Sequence, residues 1–211
     1  MSARSPTATS SSNALSRARS GRTLDAWLAA VVATPGLTSL GEDAARESLL
    51  EDSLRGAGLV ASFGGPIVDV GSGGGVPGIP LAIALPETDV VLLEAARRKC
   101  DFLEKWAPPN ARVVCGRAEE QPTDWAGAAV AKALAHPPTA AEWCLPLVRP
   151  GGAVVLWVGP SADSRRVAAV AARIAGEVDE SPPGFLVIRK IGPTPEGFPR
   201  RSGVAKKRPL A

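Results

Sequence analysis

Ile67-Val68-Asp69-Val70-Gly71-Ser72-Gly73-Gly74-Gly75 reads as a short buried strand that runs straight into a glycine-rich turn, with Pro80 to Leu85 in the helix that follows. Gly71, Gly73 and Gly75 let the backbone turn sharply and approach a ligand with no Cβ in the way. Downstream, Val90 to Leu93 form a second strand and Ala95 to Trp106 a helix. Ala111 to Cys115 make a third strand, Ala128 to Ala133 a fourth, Thr139 to Leu147 a helix, and Ala153 to Trp157 a further strand. Ser164 to Ala175 return to helix, and Phe185 to Ile188 close the series as a strand. Strands alternating with helices predict an α/β fold, a mostly parallel Rossmann-like sheet with helices on both faces. Apolar strand runs without alternation fit strands buried on both sides.

Upstream, Leu24, Trp27, Leu28, Val31 and Val32 follow the spacing of an amphipathic helix that Pro35-Gly36 ends. A second helix is expected from about Asp43 to Arg55, with Leu49, Leu50 and Leu54 inward and Gly56 and Gly58 closing it. Residues 1–21 are rich in Ser, Ala and Arg without periodicity, which predicts a disordered basic tail, an organelle transit peptide being the alternative. The expected divisions are that tail, a helical extension over 22–60, a cofactor-binding domain over 61–192, and a basic C-terminal tail over 193–211.

The chain has 211 residues, 45% hydrophobic, enough for one domain with a substantial core. Cys100, Cys115 and Cys144 are odd in number and widely spaced, which argues against a disulfide framework and for a reducing compartment, so a cytoplasmic protein is expected. Cys100 reads as a small buried hydrophobe rather than a nucleophile. A single histidine, His136, disfavours a metal cluster, and no apolar run reaches the roughly 18 residues of a membrane span. Net charge is only +3, yet the ends are basic: Arg4, Arg17, Arg19 and Arg22 at one, and Arg189, Lys190, Arg200, Arg201, Lys206, Lys207 and Arg208 at the other. Basic ends suit a polyanion such as nucleic acid.

A lone glycine loop is a weak signal, because dinucleotide-binding domains use a similar one. The acids around it narrow the ligand. Asp69 stands two residues before Gly71, where a carboxylate favours the cationic amino-acid end of S-adenosylmethionine through amide neighbours or a water, whereas a pyrophosphate gains nothing from it. Glu94 ends the second strand, where it can accept both ribose hydroxyls. Gly116-Arg117-Ala118-Glu119-Glu120 follow the third strand, placing Ala118 and Glu119 toward the adenine edge; Arg117 is open between pairing Glu120 and touching RNA. No Gly-Lys-Ser/Thr is present, so this is not a P-loop.

Gly71 to Ile83, Arg98-Lys99 with Phe102-Leu103, Gly116 to Glu120 and Ala131 to Ala135 together resemble the glucose-inhibited division protein B (RsmG) family. Cys144-Leu145-Pro146, Gly151-Gly152, Pro193-Thr194-Pro195, Phe198 to Arg201 and Lys207 to Leu210 extend the resemblance, and Asp52-Ser53-Leu54 is a weaker match. It covers residues 24–211. It implies a class I methyltransferase with a seven-stranded sheet that transfers a methyl group from S-adenosyl-L-methionine to guanine N7 of 16S rRNA in the 30S subunit, as a monomer without metal. The implied cofactor residues are Asp69, Gly71, Ser72, Gly73, Gly75, Pro77, Glu94, Ala118 and Glu119. Lys132, just past the fourth strand, would hydrogen-bond guanine O6 or a phosphate as the catalytic-site cation, and Arg200, Arg201, Lys206, Lys207 and Arg208 would meet rRNA phosphates. The sequence departs from the family's usual residues at Leu49, Lys132 and Val158. A methyltransferase of another substrate and a non-catalytic RNA-binding relative are the alternatives. Trp27, Trp106, Trp125, Trp143 and Trp157 read as packing residues rather than base platforms.

Overall fold

The computed structural model describes residues 23–211, so the expected basic tail over 1–21 lies outside the described residues. Seven strands, β1 (Ile67–Val70), β2 (Val90–Glu94), β3 (Ala111–Cys115), β4 (Ala126–Lys132), β5 (Val148–Trp157), β6 (Gly176–Val178) and β7 (Phe185–Lys190), form one sheet in the order β3-β2-β1-β4-β5-β7-β6. β1 to β5 pair in parallel; β7 runs antiparallel to both β5 and β6. This is the mostly parallel Rossmann-like sheet the sequence predicts. The order reverses at β1, whose neighbours are β2 and β4, and ligands in such sheets bind beyond the carboxyl ends of strands at that point.

Helices α1 (23–33), α2 (Glu42–Ala45), α3 (Asp52–Arg55), α4 (Ala57–Ala61), α5 (Gly78–Ala84), α6 (Arg97–Trp106), α7 (Pro137–Cys144), α8 (Ser164–Ala172) and α9 (Val204–Lys207) are described. Alternate strand residues divide the core between two faces, because successive Cβ atoms point to opposite sides of a sheet. Val68, Val70, Leu93, Val154 and Leu156 pack with Ala141 and Cys144 of α7 and Val167 and Val170 of α8. Ile67, Leu92, Val130 and Val155 pack with Trp27, Leu28 and Val31 of α1, Leu81 of α5 and Leu103 of α6. The N-terminal helices thus cover a sheet face and belong to the same core.

The structure refines the sequence reading at several places. The second helix ends at Arg55 with Gly56 as its capping turn, as expected, but Gly58 closes nothing: it lies inside α4, which starts at Ala57. Its middle, Arg46–Glu51, is a π-helical turn rather than α-helix. β4 begins at Ala126, where Gly127 lies so close to the Gly64 carbonyl that no side chain fits. Cys100 and Cys115 form a disulfide between α6 and the end of β3, their Cα atoms 5.9 Å apart, leaving Cys144 free and buried. An odd, scattered cysteine count does not reveal this pair. β3 lies beside β2, α6 begins three residues after β2 ends, and the pairing of Glu94 with Cys115 brings the two together. The cysteine count therefore no longer argues for a reducing compartment. No helix among the described residues is long and apolar enough to cross a membrane.

Candidate functional site

The loop after β1 is built by the backbone. Gly71 and Ser72 donate to the Leu93 carbonyl at 2.7 and 3.1 Å, tying the turn to the end of β2. Gly71, Gly73 and Gly75 all have positive φ, at 72°, 58° and 95°, a conformation that L side chains resist. A Cβ at Gly71 would also run into Leu134, and one at Gly75 into Ile79. Trp27 of α1 donates its indole N–H to the Gly74 carbonyl at 2.8 Å, and Arg98 of α6 donates to the Pro35 carbonyl at 2.6 Å. Helix α1 therefore grips the outside of the loop.

Asp69 lies beneath the loop, fully buried. Its Oδ2 accepts from the Gly78 amide at 3.0 Å at the start of α5, and the Ser72 hydroxyl donates to its carbonyl at 2.9 Å. Oδ1 has no partner. Burial pushes the Asp69 carboxyl up to about 7; the Ser72 and Gly78 contacts pull it back, and the nearby Glu94 carboxylate adds to the rise. Asp69 with Pro77, which precedes α5, and Gly75 forms the floor on which the loop rests, and none of the three lines a cavity of the site.

Two cavities meet above that floor. The smaller, about 260 Å³, is lined by Gly71, Glu94, Gly116, Ala118, Glu119 and Leu134. Glu94 is 8% exposed; its Oε2 accepts from the Gly73 amide at 2.9 Å and its Oε1 from the Ala96 amide at 2.8 Å, so the carboxylate joins the glycine loop to the start of α6. The larger cavity, about 760 Å³, is lined by the Gly71–Gly74 stretch, Asp52, Lys132 and Trp157. Gly71, Lys99 and Ala133 border both, so the two spaces lie side by side at the loop.

Of the residues expected at the cofactor, Gly71, Ser72, Gly73, Glu94, Ala118 and Glu119 converge on these cavities, while Asp69, Gly75 and Pro77 support them from below. Glu119 has a second engagement: its Oε1 accepts from the Gly203 amide of the C-terminal tail at 3.0 Å. Lys132 faces the larger cavity and is paired with Asp52. The tail's cations separate into two sets. Arg200 anchors the tail: its guanidinium grips Glu142, 3% exposed, with two hydrogen bonds of 2.5 and 2.6 Å. That pairing commits Arg200 Nε and Nη2 to anchoring the tail on α7. Arg201, Lys206, Lys207 and Arg208 are exposed, and Lys206 borders a third cavity of about 780 Å³ with Arg166 and Trp157.

Three residues at the site escaped the sequence reading. Leu134 borders the small cavity just past β4, and the match at Ala131 to Ala135 was its only signal. Trp157 packs against Phe185 but also donates its indole N–H to the Asp52 carbonyl at 2.9 Å. Asp52 stands in the weaker family match Asp52-Ser53-Leu54, and nothing in its spacing announces that β4 brings Lys132 to it. The indole N–H groups of Trp125 and Trp143 are buried without a partner, and Trp143 borders the small cavity. Arg117, open between Glu120 and RNA in the sequence, is exposed beside the same cavity and pairs with no carboxylate among the described residues.

The model of the family described as rRNA small subunit methyltransferase G (GidB) matches residues 28–180. A ribosomal RNA small subunit methyltransferase G of Rubrobacter xylanophilus is 41% identical over 186 residues, covering 77% of this chain and 69% of the relative. The protein of the same name from Synechococcus elongatus is 35% identical over 190 residues, covering 78% of this chain and 77% of its own length. Among solved structures, a T. thermophilus 16S rRNA N2 G1207 methyltransferase in complex with AdoMet and guanosine matches with TM-score 0.51 at 18% identity, over 69% of this chain and 40% of that one. A SAM-dependent O-methyltransferase from Thermotoga maritima matches with TM-score 0.52 at 17% identity, over 69% of this chain and 66% of that one. At such identities these two structures speak for the fold, the class I methyltransferase sheet.

Proposed function

The chain belongs to the rRNA small subunit methyltransferase G family, and on that premise we propose that it transfers a methyl group from S-adenosyl-L-methionine to guanine N7 of 16S rRNA. The observation that carries this reading is the adjacency of the two cavities at Gly71: one is sized and lined for an adenosine, the other is larger and holds a lysine.

The residues present fit this cofactor. Positive-φ glycines bring backbone to the ligand, Glu94 offers carboxylate oxygens to ribose hydroxyls, and Ala118 and Glu119 face the adenine side. Bound there, S-adenosyl-L-methionine supplies an electrophilic methyl group on a sulfonium sulfur.

The protein's task is then placement. Guanine N7 already carries a lone pair, so no general base is needed. Holding N7 in line at about 3–3.5 Å from the methyl carbon suffices for a large share of the acceleration. Lys132 in the larger cavity donates to guanine O6, the atom beside N7, and so fixes which ring edge faces the loop. The exposed Arg201, Lys206, Lys207 and Arg208 hold rRNA phosphates, which position the strand without reading it.

The test incubates the protein with 30S subunits and methyl-labelled S-adenosyl-L-methionine. Label at guanine N7 of 16S rRNA is expected. Cofactor binding by calorimetry with no label in any RNA would refute the assignment.

A further inference from the structure

We infer that Asp52 is a guanine-reading residue: its carboxylate accepts the N1–H and N2–H donors of the target base while Lys132 donates to O6. The inference rests on the function proposed above and goes beyond it by naming what selects the base.

Four observations place Asp52 in that role. It lines the 760 Å³ cavity beside the glycine loop, where the acceptor base must lie to reach a methyl group held across Gly71. It follows directly on the π-helical turn Arg46–Glu51, and such one-residue insertions into a helix re-aim the side chains after them and recur at functional sites. Its main chain is fixed by Trp157, whose indole N–H meets the Asp52 carbonyl at 2.9 Å. Both of its carboxylate oxygens are occupied by cationic donors: Arg55 Nη1 reaches Oδ1 at 2.8 Å, and Lys132 Nζ meets Oδ2.

The fourth observation carries the chemistry. Arg55 is itself held, donating to the Pro183 carbonyl at 3.1 Å with its guanidinium 5.5 Å from the centre of the Phe185 ring. Lys132 is free to turn on its four-carbon stem. The Asp52 and Lys132 side chains keep 28% and 14% of their surface exposed toward the cavity, so their bond is accessible to an entering base. Guanine presents in a row an acceptor, O6, and two donors, N1–H and N2–H. An ammonium beside a carboxylate is the complement of that row, and in the free protein the two groups satisfy each other. Adenine reverses the first two positions, setting an N–H against the lysine and a lone pair against the carboxylate, and is repelled.

Charge adds to recognition. Methylation forms the N7–C bond from the ring lone pair as the C–S bond breaks, and positive charge passes from sulfur to the purine. A carboxylate hydrogen-bonded at N1–H stabilises that charge more in the transition state than in the ground state.

The test pairs substitutions in the protein with one in the RNA. Subunits are reconstituted with 16S rRNA carrying either guanine or hypoxanthine, which lacks the N2 amino group, at the methylated position. Wild-type kcat/KM should favour guanine by about 10- to 100-fold, the value of one hydrogen bond to a charged acceptor. In D52A that ratio should collapse to within about threefold, because the partner of N2–H is gone, and in D52N, which keeps one neutral acceptor oxygen, it should fall below the wild-type value. Calorimetric affinity for S-adenosyl-L-methionine within about twofold of wild type shows that each variant is folded. Were Asp52 merely a support for Lys132 and Arg55, both substrates would slow by the same factor and the ratio would persist, which overturns the inference. Absence of label with the wild-type protein and guanine-containing subunits would overturn the functional reading and this inference with it.

Discussion

Replacing Asp69 by Asn makes a sharp test of the loop's foundation. The Asp69 carboxyl is pushed from its ordinary 3.8 up to about 7, first by burial. A group whose folded value is raised binds more protons folded than unfolded, so its contribution to stability is complete below about 3.8 and is lost as pH rises toward 7. A shift of about three pH units corresponds to roughly 4 kcal/mol, an order-of-magnitude figure. D69N cannot titrate, so it escapes this loss. It retains an oxygen for the Gly78 amide, which Oδ2 accepts at 3.0 Å, but places an amide N–H₂ where Oδ1 has no partner. That misfit costs about 1–3 kcal/mol at every pH. The two stability curves should therefore cross: D69N is the weaker protein at pH 4.5 and equal or stronger at pH 8. Urea unfolding of both proteins across that range reads the difference directly, since other titrating groups are common to the pair. Parallel curves from pH 4.5 to 8 would refute the assignment of a buried, proton-holding Asp69.

Three further outcomes follow from the site's supports. Arg200→Ala strands the buried Glu142 carboxylate and should cost about 3–5 kcal/mol in chemical denaturation, whereas a loss below about 1 would show that the tail docks without this pair. Alanine at both Lys207 and Arg208, which are exposed, should leave stability within about 0.5 kcal/mol while flattening the slope of log affinity for 16S rRNA against log salt by about 1 to 2; an unchanged slope removes them from the RNA surface. Trp27→Phe removes the donor to the Gly74 carbonyl and should weaken S-adenosyl-L-methionine binding several-fold in calorimetry, and unaltered affinity would mean that α1 covers the loop without shaping it.

What the sequence made legible was whatever rests on local pattern. β1, its glycine turn and α5 were readable because apolar run, punctuation and helix follow one another within twenty residues. β4 was harder: its first residues, Ala126 to Ala129, are small rather than β-branched, since Gly127 must pass against the backbone of Gly64. The π-helical turn left no mark, because Leu49, Leu50 and Leu54 satisfy a helical period whether or not one extra residue is wound in. β6 is three residues long at the sheet edge, too short to carry a pattern. Cys100 with Cys115 and Asp52 with Lys132 are contacts made by topology, separated by 15 and 80 residues, and no window of sequence contains either pair.

The C-terminal tail shows most plainly why residue type alone misassigns a role. Its cations looked like one set directed at RNA. In the structure Arg200 anchors the tail on Glu142, Thr194 binds Asp124 through both its amide and hydroxyl, and Lys190 is buried against the Leu145 carbonyl and Asp124. Gly203 then donates to Glu119 at the small cavity. These bonds dock the tail on the domain, so α9 holds Lys206 at a set place beside the third cavity, with Arg166. At the opposite end of the described chain, Trp27 grips Gly74 from the other side. Helix α1 thus braces the glycine loop, and the tail braces Glu119. Its Oε1 is committed to the tail, so what this carboxylate offers the small cavity falls to Oε2. Docking of the tail and binding of the cofactor should consequently be coupled through this one carboxylate, with each strengthening the other by the same factor.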